Sequence, residues 1–165
     1  MTALHPHLQP LAFLLGTWQG RGEGSYPTSP SFVYDETVVF SHRGGPYLVY
    51  EQRTSDPASG RPLHGEMGYL RALADGGLEL ILAHPTGVTE IAPGTVTGQS
   101  VRFVSSEVGV APAAKHVAAL ERDLDVDAEG TTMTSVLRMA AVGQPLTHHL
   151  QSTLRRVERA AAPAG

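Results

Sequence analysis

Apolar, aromatic and β-branched residues fall on alternate positions along almost the whole of this chain, in short runs separated by turn formers. The clearest run is residues 31–43. There Phe32, Tyr34, Glu36, Val38 and Phe40 alternate with Val33, Asp35, Thr37 and Val39. A strand sends neighbouring side chains to opposite faces, so such a run builds a sheet with two different faces. Further runs cover residues 16–22, 47–54, 61–71, 78–84, 87–96, 100–107, 117–126, 131–140 and a closing segment to residue 156. Gly44-Gly45-Pro46, Ser55 to Gly60, Asp75-Gly76-Gly77, Thr97-Gly98 and Asp127 to Gly130 turn the chain between them. That is about ten strands joined as successive hairpins, with no long helix, no repeat and no second domain. The expected fold is all-β, an antiparallel up-and-down barrel, which removes both sheet edges and encloses a cavity. A β-sandwich is the alternative that periodicity alone leaves open.

The ends have their own character. Residues 1–15 contain Pro6 and Pro10, and Leu11, Leu14 and Leu15 fit one helical face, so a short helix or 3₁₀ turn is expected to plug one end. In Gly16-Thr17-Trp18-Gln19-Gly20-Arg21-Gly22 the glycines leave room for close backbone approach, and the sole Trp is expected to pack against the plug. The spacing is not that of a phosphate-binding loop. Residues 108–115 read as irregular. One domain is expected over residues 1–157, with 158–165 a frayed tail.

Net charge is -4 with no run of Lys or Arg, which argues against nucleic acid and anionic membranes as partners. The run from Leu11 to Leu15 is too short to span a membrane, and a cytoplasmic location is expected. Cysteine is absent, so disulfides, zinc ribbons, iron–sulfur clusters and thiolate chemistry are excluded. Any axial ligand to a metal must come from His, Met or Tyr.

Chemistry therefore centres on the eight histidines. His5 and His7 lie in the N-terminal stretch and need no role. His64 and Glu66 share a strand face, as an acid/base pair or as a hydrogen-bonded couple near a barrel rim. No multi-histidine zinc motif is visible. The closing segment carries His148 and His149. Only one of the two can face inward on a regular strand. Patterning with Leu150, Ser152 and Leu154 favours His148, while a polar-edged ligand would admit His149.

The order G-T-W-Q-G-R-G, Tyr26-Pro27-Thr28, Pro62-Leu63-His64-x-Glu66-x-Gly68-Tyr69 and Gln144-Pro145-x-Thr147-x-His149-Leu150 resembles the nitrobindin family over residues 5–157. Gly16, Trp18, Gly20 and Gly22 are the motif positions. The resemblance implies a ten-stranded barrel holding one ferric haem b per chain, with His149 as axial ligand and catalytic centre. It places further haem contacts at Thr28 and Lys115. It implies isomerisation of peroxynitrite to nitrate and reversible nitric oxide binding, with room for a homodimer. A haem-free fatty-acid or lipid carrier on the same barrel is the alternative, and a pair of Arg side chains aimed at a carboxylate would favour it. A haem or nitric oxide carrier without turnover is a third reading.

Overall fold

The computed structural model describes residues 3–105 and 107–157; the expected frayed tail, 158–165, lies outside them. A 3₁₀ helix, Pro6–Leu14, precedes strands β1 Gly16–Tyr26, β2 Ser29–His42, β3 Tyr47–Ser55, β4 Pro62–Ala72, β5 Leu78–His84, β6 Val88–Thr97, β7 Ser100–Val104, β8 Glu107–Val110, β9 Val117–Val126, β10 Thr132–Ala141 and β11 Thr147–Arg156. Neighbours pair antiparallel, β5 pairs with β6, and β1 pairs with β11, so the sheet closes on itself. Closure removes the sandwich alternative. β7 and β8 lie end to end along β6 and together make one stave, giving a ten-stranded barrel.

That stave corrects one expectation. Residues 108–110 are strand, not irregular chain, and the break falls at Ser105. Ser105 Oγ accepts the Leu120 N–H at 2.8 Å while the Ser105 N–H donates to the Leu120 carbonyl at 2.9 Å. A short side chain that bonds the backbone competes with the regular ladder. The plug also differs in detail. It winds at three residues per turn and buries Leu8, Leu11 and Leu14, so Leu8 takes the place expected for Leu15. The expectation assumed a period of 3.6.

The interior is layered along the barrel axis. Against the plug lie Trp18, Phe40, Leu48, Leu70, Phe103, Met133 and Leu154, all at most 2% exposed. Higher up, the inward positions turn polar, with Glu36, Gln52, Glu66, Glu90 and Arg122 buried. Above that belt the barrel opens into a cavity. Among the described residues no helix is long and apolar enough to cross a membrane.

The closed end is locked at the β1–β11 seam. Trp18 Nε1 donates to the Leu14 carbonyl at 2.8 Å. The Arg156 guanidinium lies 4.1 Å over the Trp18 ring. It also donates to the carbonyls of Phe13 and Gly130, each at 2.8 Å, and to that of Leu15. The glycines of β1 make room for the seam. A Cβ at Gly20 would collide with the Thr153 carbonyl, and one at Gly22 would overlap the Tyr34 ring. Arg156→Ala is expected to lower the unfolding free energy by about 2–3 kcal/mol, from lost charged hydrogen bonds and cation–π attraction. Urea unfolding followed by Trp18 emission measures it, with a red-shifted native spectrum expected. A loss below about 0.5 kcal/mol would show that the seam holds without this side chain.

Candidate functional site

The open end is shaped by an irregularity in β11. Leu137 pairs with Leu150, but Arg138 pairs with His148, so His149 is an extra residue on the strand. A bulge of this kind re-aims a side chain. Leu150, Ser152 and Leu154 point inward as patterning requires, and His149 lines the same cavity as Leu150. His148 is exposed and borders a shallow outer groove with Glu23 and Phe32. The parity argument that favoured His148 fails because it assumed a regular strand.

The His149 ring is held on three sides. The β1–β11 ladder stops at Gly24 and Leu150. The Ser25 carbonyl, one residue beyond, faces His149 Nδ1 at 3.1 Å. A carbonyl can only accept, so the proton sits on Nδ1 and Nε2 keeps its lone pair. The Tyr26 and Phe32 rings meet the imidazole edge-on at 5.1 and 6.4 Å. Tyr26 is itself fixed, since its hydroxyl accepts the Ala141 N–H at 2.8 Å. Burial pushes the His149 pKa down and outweighs the opposing Ser25 bond, so the ring is neutral at pH 7.

His149 faces a cavity of about 470 Å³, within the range typical of small-molecule and cofactor sites. Phe32, Leu63, Val88, Leu120, Leu137 and Leu150 form much of its wall, and Arg61 is a cationic side chain on it. His64 and His84 border it as well, and the His149 imidazole, whose second nitrogen is anchored to a carbonyl, is the one that fits haem ligation. Of the other sequence candidates, Thr28 is exposed in the β1–β2 turn and Lys115 is exposed between β8 and β9. Neither is among the residues bordering the cavity. Trp18, Gly20 and Gly22 lie on the seam and Gly16 just before it, and none of the four borders the cavity.

The cavity floor holds residues that the sequence reading passed over. Arg122 donates to Glu66 Oε2 from Nη1 at 2.9 Å, and from Nη2 to Glu66 Oε1 at 3.0 Å and Glu90 Oε1 at 2.6 Å. Tyr50 donates to Glu66 at 3.3 Å. Burial opposes ionisation of Glu66 and Glu90. The Arg122 guanidinium and the neighbouring imidazoles outweigh it and hold both carboxyls below the usual range. Glu36, buried without a guanidinium partner, is pushed up instead. The expected His64–Glu66 couple exists at 3.6 Å, inside the barrel and as one edge of this larger network. The overlooked signal was a charge on an inward position of an otherwise apolar period, as in Leu120-x-Arg122-x-Leu124 and Val88-x-Glu90-x-Ala92.

Comparison with known proteins agrees with this geometry. A family described as "THAP4-like, heme-binding beta-barrel domain" matches residues 7–156. A protein of Nocardia farcinica named peroxynitrite isomerase is 52% identical over 158 residues, covering 93% of each chain. A protein of Mycobacterium marinum named peroxynitrite isomerase 2 is 50% identical over 157 residues, covering 93% of this chain and 96% of its own. The crystal structure of Rv2717c from M. tuberculosis superposes with a TM-score of 0.88 at 48% identity, covering 94% of this chain and all of that one. The resemblance read from the motifs is borne out, and this chain belongs to the family of THAP4-like, haem-binding β-barrel domains.

Proposed function

We propose that the chain binds one haem b through His149 Nε2 in the mouth cavity and converts peroxynitrite to nitrate there. The observation that carries this is the inward, neutral His149, its Nδ1–H fixed by the Ser25 carbonyl. Ferric haem would supply a Lewis-acidic iron with one coordination position left for the substrate. The protein's own part is positional. The Ser25 carbonyl holds the ring orientation and makes Nε2 a better donor. The apolar wall excludes water and confines the reacting anion until nitrate leaves. Arg61 provides positive charge at the cavity for an anionic substrate. Nitric oxide is proposed as a second small ligand of the same position, and Thr28 and Lys115 as rim contacts to the haem edge. The names of the relatives in Nocardia and Mycobacterium support the substrate assignment.

The fatty-acid carrier is the weaker reading. It calls for a pair of arginines aimed at a carboxylate, and the buried Arg122 is already spent on Glu66 and Glu90, which leaves Arg61 alone on the cavity. A haem or nitric oxide carrier without turnover shares every residue with the proposal, so it is an outcome of the kinetic test.

His149→Ala should abolish the Soret band of the haem-loaded protein or shift it to a water-ligated form, whereas His148→Ala should leave it unchanged. The reverse pattern would move the ligand to His148. Lys115→Ala should weaken haem binding by no more than about tenfold, since exposed ion pairs contribute roughly 0–1 kcal/mol. Complete haem loss in that variant would refute a rim role. Stopped-flow mixing of peroxynitrite with the ferric haem-loaded protein should show accelerated decay, mostly to nitrate, with less nitration of added tyrosine. Decay at the buffer rate despite a normal haem spectrum would leave a carrier.

A further inference from the structure

We propose that His64, Glu66 and His84 form a binding site for a divalent transition-metal ion of the zinc class on the floor of the cavity. The site stands on β4 and β5, across the ring from His149 on β11. Glu66 and His84 are cross-strand neighbours, one step beyond the Met67–Ala83 pair. His64 lies two residues before Glu66 on the same face, and all three line the cavity.

Three donor atoms converge. His64 Nε2 and His84 Nδ1 are 3.3 Å apart. Glu66 Oε1 is 3.6 Å from the first and 3.5 Å from the second. The point equidistant from the corners of that triangle lies about 2.0 Å from each, against zinc bond lengths of about 2.0–2.2 Å to imidazole nitrogen and carboxylate oxygen. The edges also approach the roughly 3.3–3.4 Å ligand spacing of a tetrahedral zinc site. Two histidines and one carboxylate would leave a fourth position open toward the cavity.

The surroundings favour a cation. His84 Nε2 faces Glu90 Oε1 at 3.1 Å, and a carboxylate oxygen that already takes the Arg122 guanidinium at 2.6 Å accepts. The His84 proton is therefore on Nε2, and Nδ1 keeps its lone pair, 3.3 Å from His64 Nε2 and 3.5 Å from Glu66 Oε1. A buried carboxylate behind a ligating histidine is the usual support of such a site. Glu66 Oε1 accepts from Arg122 Nη2 and has a second lone pair free. Two ionised carboxylates, Glu66 and Glu90, face one guanidinium, so the buried cluster is one positive charge short of neutral. Glu90 Oε2, also buried, has no hydrogen-bond partner.

The site does not depend on the haem reading. Its test is calorimetric titration with zinc chloride of the full chain, treated with a chelator and purified without added haem. One zinc per chain is expected. His64→Ala, at a position whose side chain is 29% exposed, should weaken it at least about tenfold. His84→Asn should do the same, with circular dichroism confirming the fold, and His149→Ala should leave zinc binding intact. Absence of binding would overturn the proposal, leaving only a hydrogen bond between the two imidazoles. Binding that survives in His64→Ala and His84→Asn, or that disappears in His149→Ala, would overturn it equally.

Discussion

The pairing of β1 with β11 is the contact on which the molecule turns. It joins the first strand to the last and makes a ring from a sheet that would otherwise expose two edges. It is also a seam of close backbone approach, possible because Gly20 presents no Cβ to the Thr153 carbonyl, while Gly22 makes room for the Tyr34 ring of β2. Each end of the seam does a different job. At the closed end Trp18 and Arg156 are directly paired and bind the plug. At the open end the ladder stops one residue short of Ser25 and His149, and the released carbonyl orients the imidazole. The motif glycines thus act on the cavity through closure, and none of them is among the residues that line it.

The polar belt between those ends is not a device for stability. Desolvating Glu66, Glu90 and Arg122 costs several kcal/mol per ion before pairing offsets it, and an apolar filling of similar volume is often neutral or better. Orphaned atoms remain even so, Arg122 Nε and Glu90 Oε2 among them. The belt separates an apolar half packed on the plug from an open chamber. It gives that chamber a charged floor opposite a neutral histidine, so the two walls offer a ligand different chemistry.

Much of the fold was legible because period-two patterning survives in most of the staves. In β2 the alternation was read as two faces, and the one with Tyr34, Glu36, Val38 and Phe40 is the buried one. Where the reading slipped, the cause was a local departure from an ideal period. The plug winds at three residues per turn, and Ser105 diverts a backbone bond to Leu120. The belt stayed hidden because its members are scattered from Glu36 to Arg122 and meet only when β2, β3, β4, β6 and β9 curve round one axis.

By itself the sequence determined the all-β class, the plugged end and, through the Q-P-x-x-x-H-L run, the segment that carries the two candidate histidines. Closure into a barrel rather than a sandwich was decided by the pairing of β1 with β11. Alternation and turn chemistry are local properties, and a strand's face follows from them alone. Which histidine enters the cavity was decided by tertiary structure. The bulge that turns His149 inward exists only in the pairing of β11 with β10, and the carbonyl that orients it arrives from β1. The convergence of His64, Glu66 and His84 was decided the same way, by a register between β4 and β5 that no one-strand pattern contains.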